Sequence, residues 1–313
     1  MLARLQRFVI LAVTLAALGW LVAWTSAGRP VLAVAGALVL AFGYVFILAV
    51  EFVLLACLHG RDEAPRAGPL QLLRAWLGEC VVAWQVFVWR QPFHAARYPD
   101  VPGRPGVRGV VFVHGYVCNR GLWGPWLARC TAEQRPYVAV DLEPVFSDLD
   151  IYVPQLETAV ARLEQTTGLP PLLVCHSMGG LVARAWLAAT PGAAARVQHV
   201  ITIGSPHRGT WLARLSRTTN SRHMRQASEW ITGLAAREPA LHTGRFTCFY
   251  GHADNIVFPA CAATLPGADN RHLPATAHVA MVFHPEVVSE AARWLAASAE
   301  AISSGEAEGA SSR

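Results

Sequence analysis

The stretch Leu172-Leu173-Val174-Cys175-His176-Ser177-Met178-Gly179-Gly180-Leu181-Val182-Ala183-Arg184 decides how this chain is read. It follows a Pro-Pro pair and opens with an apolar run of the length of a buried strand. It closes with a proline-free run rich in Ala and Leu, as a helix requires. Almost no residues remain between the two for a loop. Ser177 is therefore expected on a cramped strand-to-helix turn at positive φ, where small neighbours let the elements pass. The turn should push its hydroxyl into solvent above the sheet edge, near the free N–H groups of the first helical turn.

Working outward, the same alternation repeats. Residues 109–113 form a short β-branched run that ends at His114-Gly115-Tyr116, and 123–129 is helical in pattern. A second strand pattern covers 137–141, and 154–167 places Leu156, Val160 and Leu163 on one helical face. Beyond the central stretch come strand patterns at 200–204 and 246–251 and a last helix at 285–297. Strands alternating with helices argue for an α/β architecture, a mostly parallel sheet covered on both faces.

Cys175-His176-Ser177-Met178-Gly179 resembles the nucleophile elbow of the α/β-hydrolase superfamily, and within it of the bacterial lipases and esterases. The family pattern is Gly-x-Ser-x-Gly. Here Cys175 stands where the first glycine is usual, small enough to pack under the turn. Gly204-Ser205-Pro206-His207-Arg208-Gly209-Thr210 is similar to the segment after the sixth strand in bacterial lipases. The resemblance runs from about residue 108 to 297 and implies a Ser-acid-His triad in that chain order.

Ser177 would then be the nucleophile. The implied acid is Asp254, just past the 246–251 strand in Gly251-His252-Ala253-Asp254-Asn255-Ile256-Val257. Its rival, Asp269, sits in a Pro-Gly turn that suits a solvated aspartate. The implied base is His278, in Pro274-Ala275-Thr276-Ala277-His278 before the last helix, with Ala277 where the family usually has glycine. His272 and His284 are the alternatives; the second is better placed to start the final helix. For the oxyanion, the backbone N–H groups of Met178 and of Tyr116 are implied, the latter from a loop like the lipase His-Gly-x. His114 and His176 are expected to be structural. Val279-Ala280-Met281 lacks the aspartate that some family members use for calcium, so no metal and no cofactor is expected.

The first 60 residues are of another kind. The chain is 53% apolar and 15% charged, with a mean hydropathy of +0.33. That is too apolar for a purely soluble protein. Residues 8–27 and 31–50 carry no charge, and the second run resumes after Glu51 to Leu58. Both reach the ~20 apolar residues that span a bilayer, joined by a short turn through Gly28-Arg29-Pro30. Two transmembrane helices at 1–60 are expected. A cleaved signal peptide over the first run is the competing reading. Glu51 is expected near the helix end, reaching the headgroups, with a functional intramembrane acid as the alternative reading.

Residues 61–107 read as a linker and an amphipathic or interfacial helix, with a core helix of the next domain equally open for 70–89. The catalytic domain is expected over 108–298, with a helical cap at 209–244, and a disordered tail at 299–313. Arg4 and Arg7 precede the first run and Arg61, Arg66 and Arg74 follow the second, against Arg29 alone between them. This bias places both ends and the catalytic domain in the cytoplasm, at the inner membrane if the host is bacterial. The net charge of +5 contains no dense basic cluster, so the expected partner is the lipid bilayer and not nucleic acid. Seven scattered cysteines form no metal or disulfide pattern.

The reading is a membrane-anchored serine hydrolase for lipid-like carboxylic esters. A thioesterase or amidase would use the same triad. From a different class, a non-catalytic membrane interaction protein with a degenerate hydrolase domain is the rival.

Overall fold

The β-branched and aromatic runs form six parallel strands in the computed structural model, which describes residues 1–58, 62–238 and 244–296. They are β1 (Val110–Val113), β2 (Tyr137–Val140), β3 (Leu172–His176), β4 (His199–Ile203), β5 (Phe246–Tyr250) and β6 (Asp269–His272). Their order is β2-β1-β3-β4-β5-β6, every neighbouring pair parallel. β1 to β4 are buried throughout because helices cover both faces. β6 closes the sheet as a polar edge, with Asp269 and Asn270 exposed. The expected tail at 299–313, the linker at 59–61 and the cap residues 239–243 lie outside the described residues.

One face of the sheet packs Val111, Leu173 and Cys175 against Leu156 and Leu163 of the helix Val153–Thr167 and Trp186 of the helix Met178–Ala189. The other packs Phe112, Val174 and Phe249 against Trp123, Leu127 and Val287, the last from a helix over 285–296. The chain leaves β1 for β2 on one side and returns to β3 on the other. The loops at the carboxyl ends of β1 and β3 therefore diverge and leave a crevice, the usual place for a site in such a sheet.

Ahead of the sheet lie α1 (Leu2–Ser26), α2 (Pro30–Ala41), α3 (Gly43–Cys57) and α4 (Pro69–His94). Among the described residues, α1 and α4 are the two helices long and apolar enough to cross a membrane. The expected second span over 31–58 is instead broken between α2 and α3 by a bend of 59°. The break falls at Phe42-Gly43, where glycine is a poor helix former. The bend turns α3 onto the α/β domain, where Phe52 and Leu55 bury against Phe258 and Ala277.

α4 has one exposed and one buried face. Leu70, Leu73, Leu77, Val81 and Trp84 form an exposed apolar stripe at three- and four-residue spacing. Ala75, Glu79, Ala83 and Val86 lie on the buried side, and Val86 packs into the same layer as Phe112 and Trp123. Tyr44 Oη donates to the Cys80 carbonyl (3.2 Å) and Trp76 Nε1 to that of Val45 (3.2 Å), joining α3 to α4.

Candidate active site

At the end of β3 the backbone turns sharply at Ser177, with φ 53° and ψ −124°. A non-glycine residue in that region stores about 1–3 kcal/mol, so the surroundings must impose it. Ser177 N–H donates to the Ile203 carbonyl (2.9 Å) and its own carbonyl accepts from Gly180 N–H (3.1 Å). A Cβ at Gly179 would lie 2.5 Å from the Val113 carbonyl oxygen, so only glycine lets the new helix pass β1. Cys175 is fully buried in the apolar layer, and burial pushes its thiol up, so it acts as a small hydrophobe. Ser177 itself is 6% exposed, not projecting freely into solvent as the local geometry suggested. Segments distant in sequence wall it into a cavity.

The loops after β5 and β6 bring Asp254 and His278 together. His278 Nδ1 lies 3.0 Å from Asp254 Oδ2, and both residues are buried. Asp254 Oδ1 accepts from the N–H groups of Ile256 (2.9 Å) and Val257 (2.8 Å), which fixes the carboxylate, and both of its oxygens lie 3.0 Å from His278 Nδ1. Burial works against a charged His278. The Asp254 carboxylate outweighs it, with further help from Glu79 and Glu51, and the imidazole ends above its ordinary value. The His176 ring, next to Ser177 in sequence, lies 4.6 Å from the His278 ring.

The remaining expected residues are placed as follows. Gly115 lies so close to the serine that a Cβ there would meet Ser177 Cβ at 2.7 Å. This brings the amide of Tyr116 beside the elbow, where the amide of Met178 opens the helix. Among the described residues neither N–H is paired with a backbone acceptor. His114 is structural: Nδ1 is 2.9 Å from the Gly115 carbonyl and Nε2 accepts from Leu142 N–H (3.0 Å). Burial pushes its pKa down, which suits that neutral tautomer. His176 is less satisfied than expected, with Nε2 3.4 Å from the His278 carbonyl and Nδ1 without a partner among the described residues.

The rivals lie elsewhere. Asp269 is exposed and pairs with Arg271 (2.6 Å). His272 ends β6, and His284 accepts from Glu286 N–H (3.3 Å) at the start of the last helix. Among the described residues no group of three or more His, Cys, Asp or Glu side chains could hold a metal ion.

A cavity of about 290 Å³ opens beside Ser177, lined by Tyr116, Leu212, Leu215, Met224, Val257 and Glu51. Leu212 and Leu215 come from the turn Trp211–Leu215, and Met224 follows the short helix Thr219–His223. Two acids of the N-terminal helices reach this site, and neither motif nor periodicity pointed to them. Glu51 does not extend to headgroups: its Oε2 accepts from Asn255 Nδ2 (2.7 Å). Glu79, 1% exposed, accepts from the N–H groups of Val279 (2.8 Å) and Ala280 (3.0 Å). In sequence both are merely interruptions of apolar runs; a charge kept in such a run is the one signal available.

A parallel sheet of this order, with a strained serine at the β3 turn and an Asp–His pair on the last loops, defines the α/β-hydrolase fold. A family described as the PGAP1-like alpha/beta domain matches residues 159–258, under half of the chain. The mature form of a Bacillus licheniformis lipase shares the fold with a TM-score of 0.51 at 20% identity, over 60% of this chain and 95% of that one. Aspergillus fumigatus lipase B does so with a TM-score of 0.50 at 19% identity, over 58% of this chain and 51% of its own. No curated protein matches the chain.

Proposed function

We propose that the chain is a membrane-anchored serine hydrolase that cleaves carboxylic esters of lipid-like alcohols or acyl chains. The observation that carries this is the buried 3.0 Å contact of His278 with Asp254, linked to the serine at positive φ through its neighbour His176, whose ring lies 4.6 Å from that of His278. In this reading Ser177 Oγ attacks the acyl carbon while His278 Nε2 takes its proton. Asp254 holds the proton on Nδ1 and steadies the imidazolium. The tetrahedral oxyanion rests on the N–H groups of Met178 and Tyr116. His278 then protonates the leaving alcohol, and water attacks the acyl-enzyme by the same path to release the acid. The apolar lining of the cavity and the lipases among the proteins of like fold support an ester with a hydrocarbon chain.

Anchoring is supported by surface energetics. Phe8, Leu15, Leu18, Val31, Phe46 and Val53 are all exposed on α1 to α3. Each would forfeit about 1.5–3 kcal/mol of burial in water, so the helices need an apolar solvent. Gln6 Nε2 donates to Gln91 Oε1 (2.7 Å), so the start of α1 lies on the side of the catalytic domain. The two then share one side, and the Lys/Arg bias of the flanks makes that side the cytoplasm.

A fluorophosphonate probe should label the purified protein on Ser177, located by peptide mass. A folded protein that takes no label would favour the non-catalytic alternative. Sidedness is tested by fusing alkaline phosphatase after Arg66, in the segment between α3 and α4. The fusion is expected to be inactive, because that reporter needs export; strong activity would put the site on the outer face.

A further inference from the structure

We propose that the N-terminal helices are part of the catalytic device, with Glu79 of α4 and Glu51 of α3 acting as positioning residues for His278. The proposal rests on the serine-hydrolase reading above and assigns its base two further partners.

Three successive backbone amides, those of His278, Val279 and Ala280, are each held by a side chain. His278 N–H donates to Asn255 Oδ1 (3.3 Å), Val279 N–H to Glu79 Oε1 (2.8 Å) and Ala280 N–H to Glu79 Oε2 (3.0 Å). Asn255 is fully buried and is held in turn by Glu51 (2.7 Å). Asn255 also directly follows Asp254. The loop of the acid and the loop of the base are thus fastened to each other and to two helices about 200 positions earlier in the chain.

A loop that merely needed its amides satisfied could use water or backbone carbonyls. A carboxylate in a site this buried is a costly way to do it unless its charge has a use. Both oxygens of Glu79 accept N–H bonds, which fixes the carboxyl group against the loop of His278. The use lies next to it: when His278 takes the serine proton it becomes an imidazolium in a buried site. The groups facing that ring are Asp254, Glu79 and Glu51 on the negative side, and His176, kept neutral by burial, on the other. Glu79 therefore contributes geometry through the loop and charge through space, and the apolar packing of Phe52, Leu55 and Ala75 on Phe258 and Ala277 holds it there.

The test is turnover of p-nitrophenyl butyrate by the full chain in detergent, comparing wild type with Glu79→Gln and Glu51→Gln across pH. The expected result for Glu79→Gln is a loss of about 10–100-fold in kcat, the scale on which a misplaced catalytic group slows an enzyme. KM should stay within about twofold, because Glu79 lies outside the lining of the cavity. The acid limb of kcat/KM should move to lower pH: less negative charge beside His278 lowers its pKa, so the neutral base persists further into acid. Glu51→Gln keeps an acceptor for Asn255 and should shift the limb the same way by less. It also carries the test if Glu79→Gln does not fold. An unmoved limb in the folded variants, with or without loss of kcat, would reduce both acids to loop fasteners and overturn the proposal. If wild-type turnover does not depend on Ser177, the hydrolase reading fails first and this proposal falls with it. Ser177-dependent turnover that is indifferent to both glutamates would remove only the positioning role.

Discussion

Ser177→Ala is expected to abolish ester hydrolysis, by up to about 10⁶ in kcat, the scale seen when such a nucleophile is removed. The fold should survive. Alanine keeps the Cβ, so the positive-φ turn imposed by Ile203, Gly180 and the packing at Gly179 is no more strained than before. Ser177 lines a cavity, and the lost hydroxyl leaves space that is already open to the cavity. Hydrolysis of p-nitrophenyl butyrate by purified wild type and variant, with a thermal melt of each, is the measurement. Wild-type turnover in the folded alanine variant would end the mechanism. A small residue of activity would be consistent with binding and oxyanion donors acting without the nucleophile.

Asp254→Asn is expected to lower turnover by about 10⁴, and Asp269→Asn to change it little. In Asp254→Asn the oxygen that accepts from Ile256 and Val257 can be kept, so the loop holds its shape. The amide nitrogen then faces His278 Nδ1 as a donor and forces the proton onto Nε2, the nitrogen that must accept from the serine. Asp269 is exposed and engaged with Arg271, a surface pair of the kind worth about 0–1 kcal/mol and remote from the cavity. Steady-state kinetics of the two variants on one substrate decides it. The reverse ranking would mean that the orienting acid has been misplaced.

The elbow is legible in the sequence because its constraints are local. A strand entering a helix at Ser177 needs small residues within one short stretch, and Gly179 supplies one where β1 passes. The strand and helix patterns from residue 108 to 251 were legible for the same reason, since alternation and β-branching report burial on both faces of a sheet, whereas the polar edge strand β6 was not. Asp254 and His278 followed from the chain order that the family resemblance implies, and the structure brings them into contact. Other features were not legible. Hydropathy made one span of residues 31–58, whereas α2 and α3 meet at 59°. Apolar composition alone cannot tell a side chain that faces lipid from one, like Phe52, that packs on Phe258.

What the sequence by itself determined is the α/β order of elements, the strained serine turn and the apolar N-terminal segment. Each depends on residues within a few positions of one another, where sterics and periodicity act directly. What only the tertiary structure decided is which groups share the site. Leu212 and Met224 wall in a serine that local geometry would leave open, and Glu51 and Glu79 reach the Asp254 and His278 loops across some 200 residues. A glutamate interrupting an apolar run has no local partner that reveals its purpose. Its charge is tolerated there because the folded chain brings buried amide donors to meet it, and those donors are set by packing rather than by neighbours in sequence.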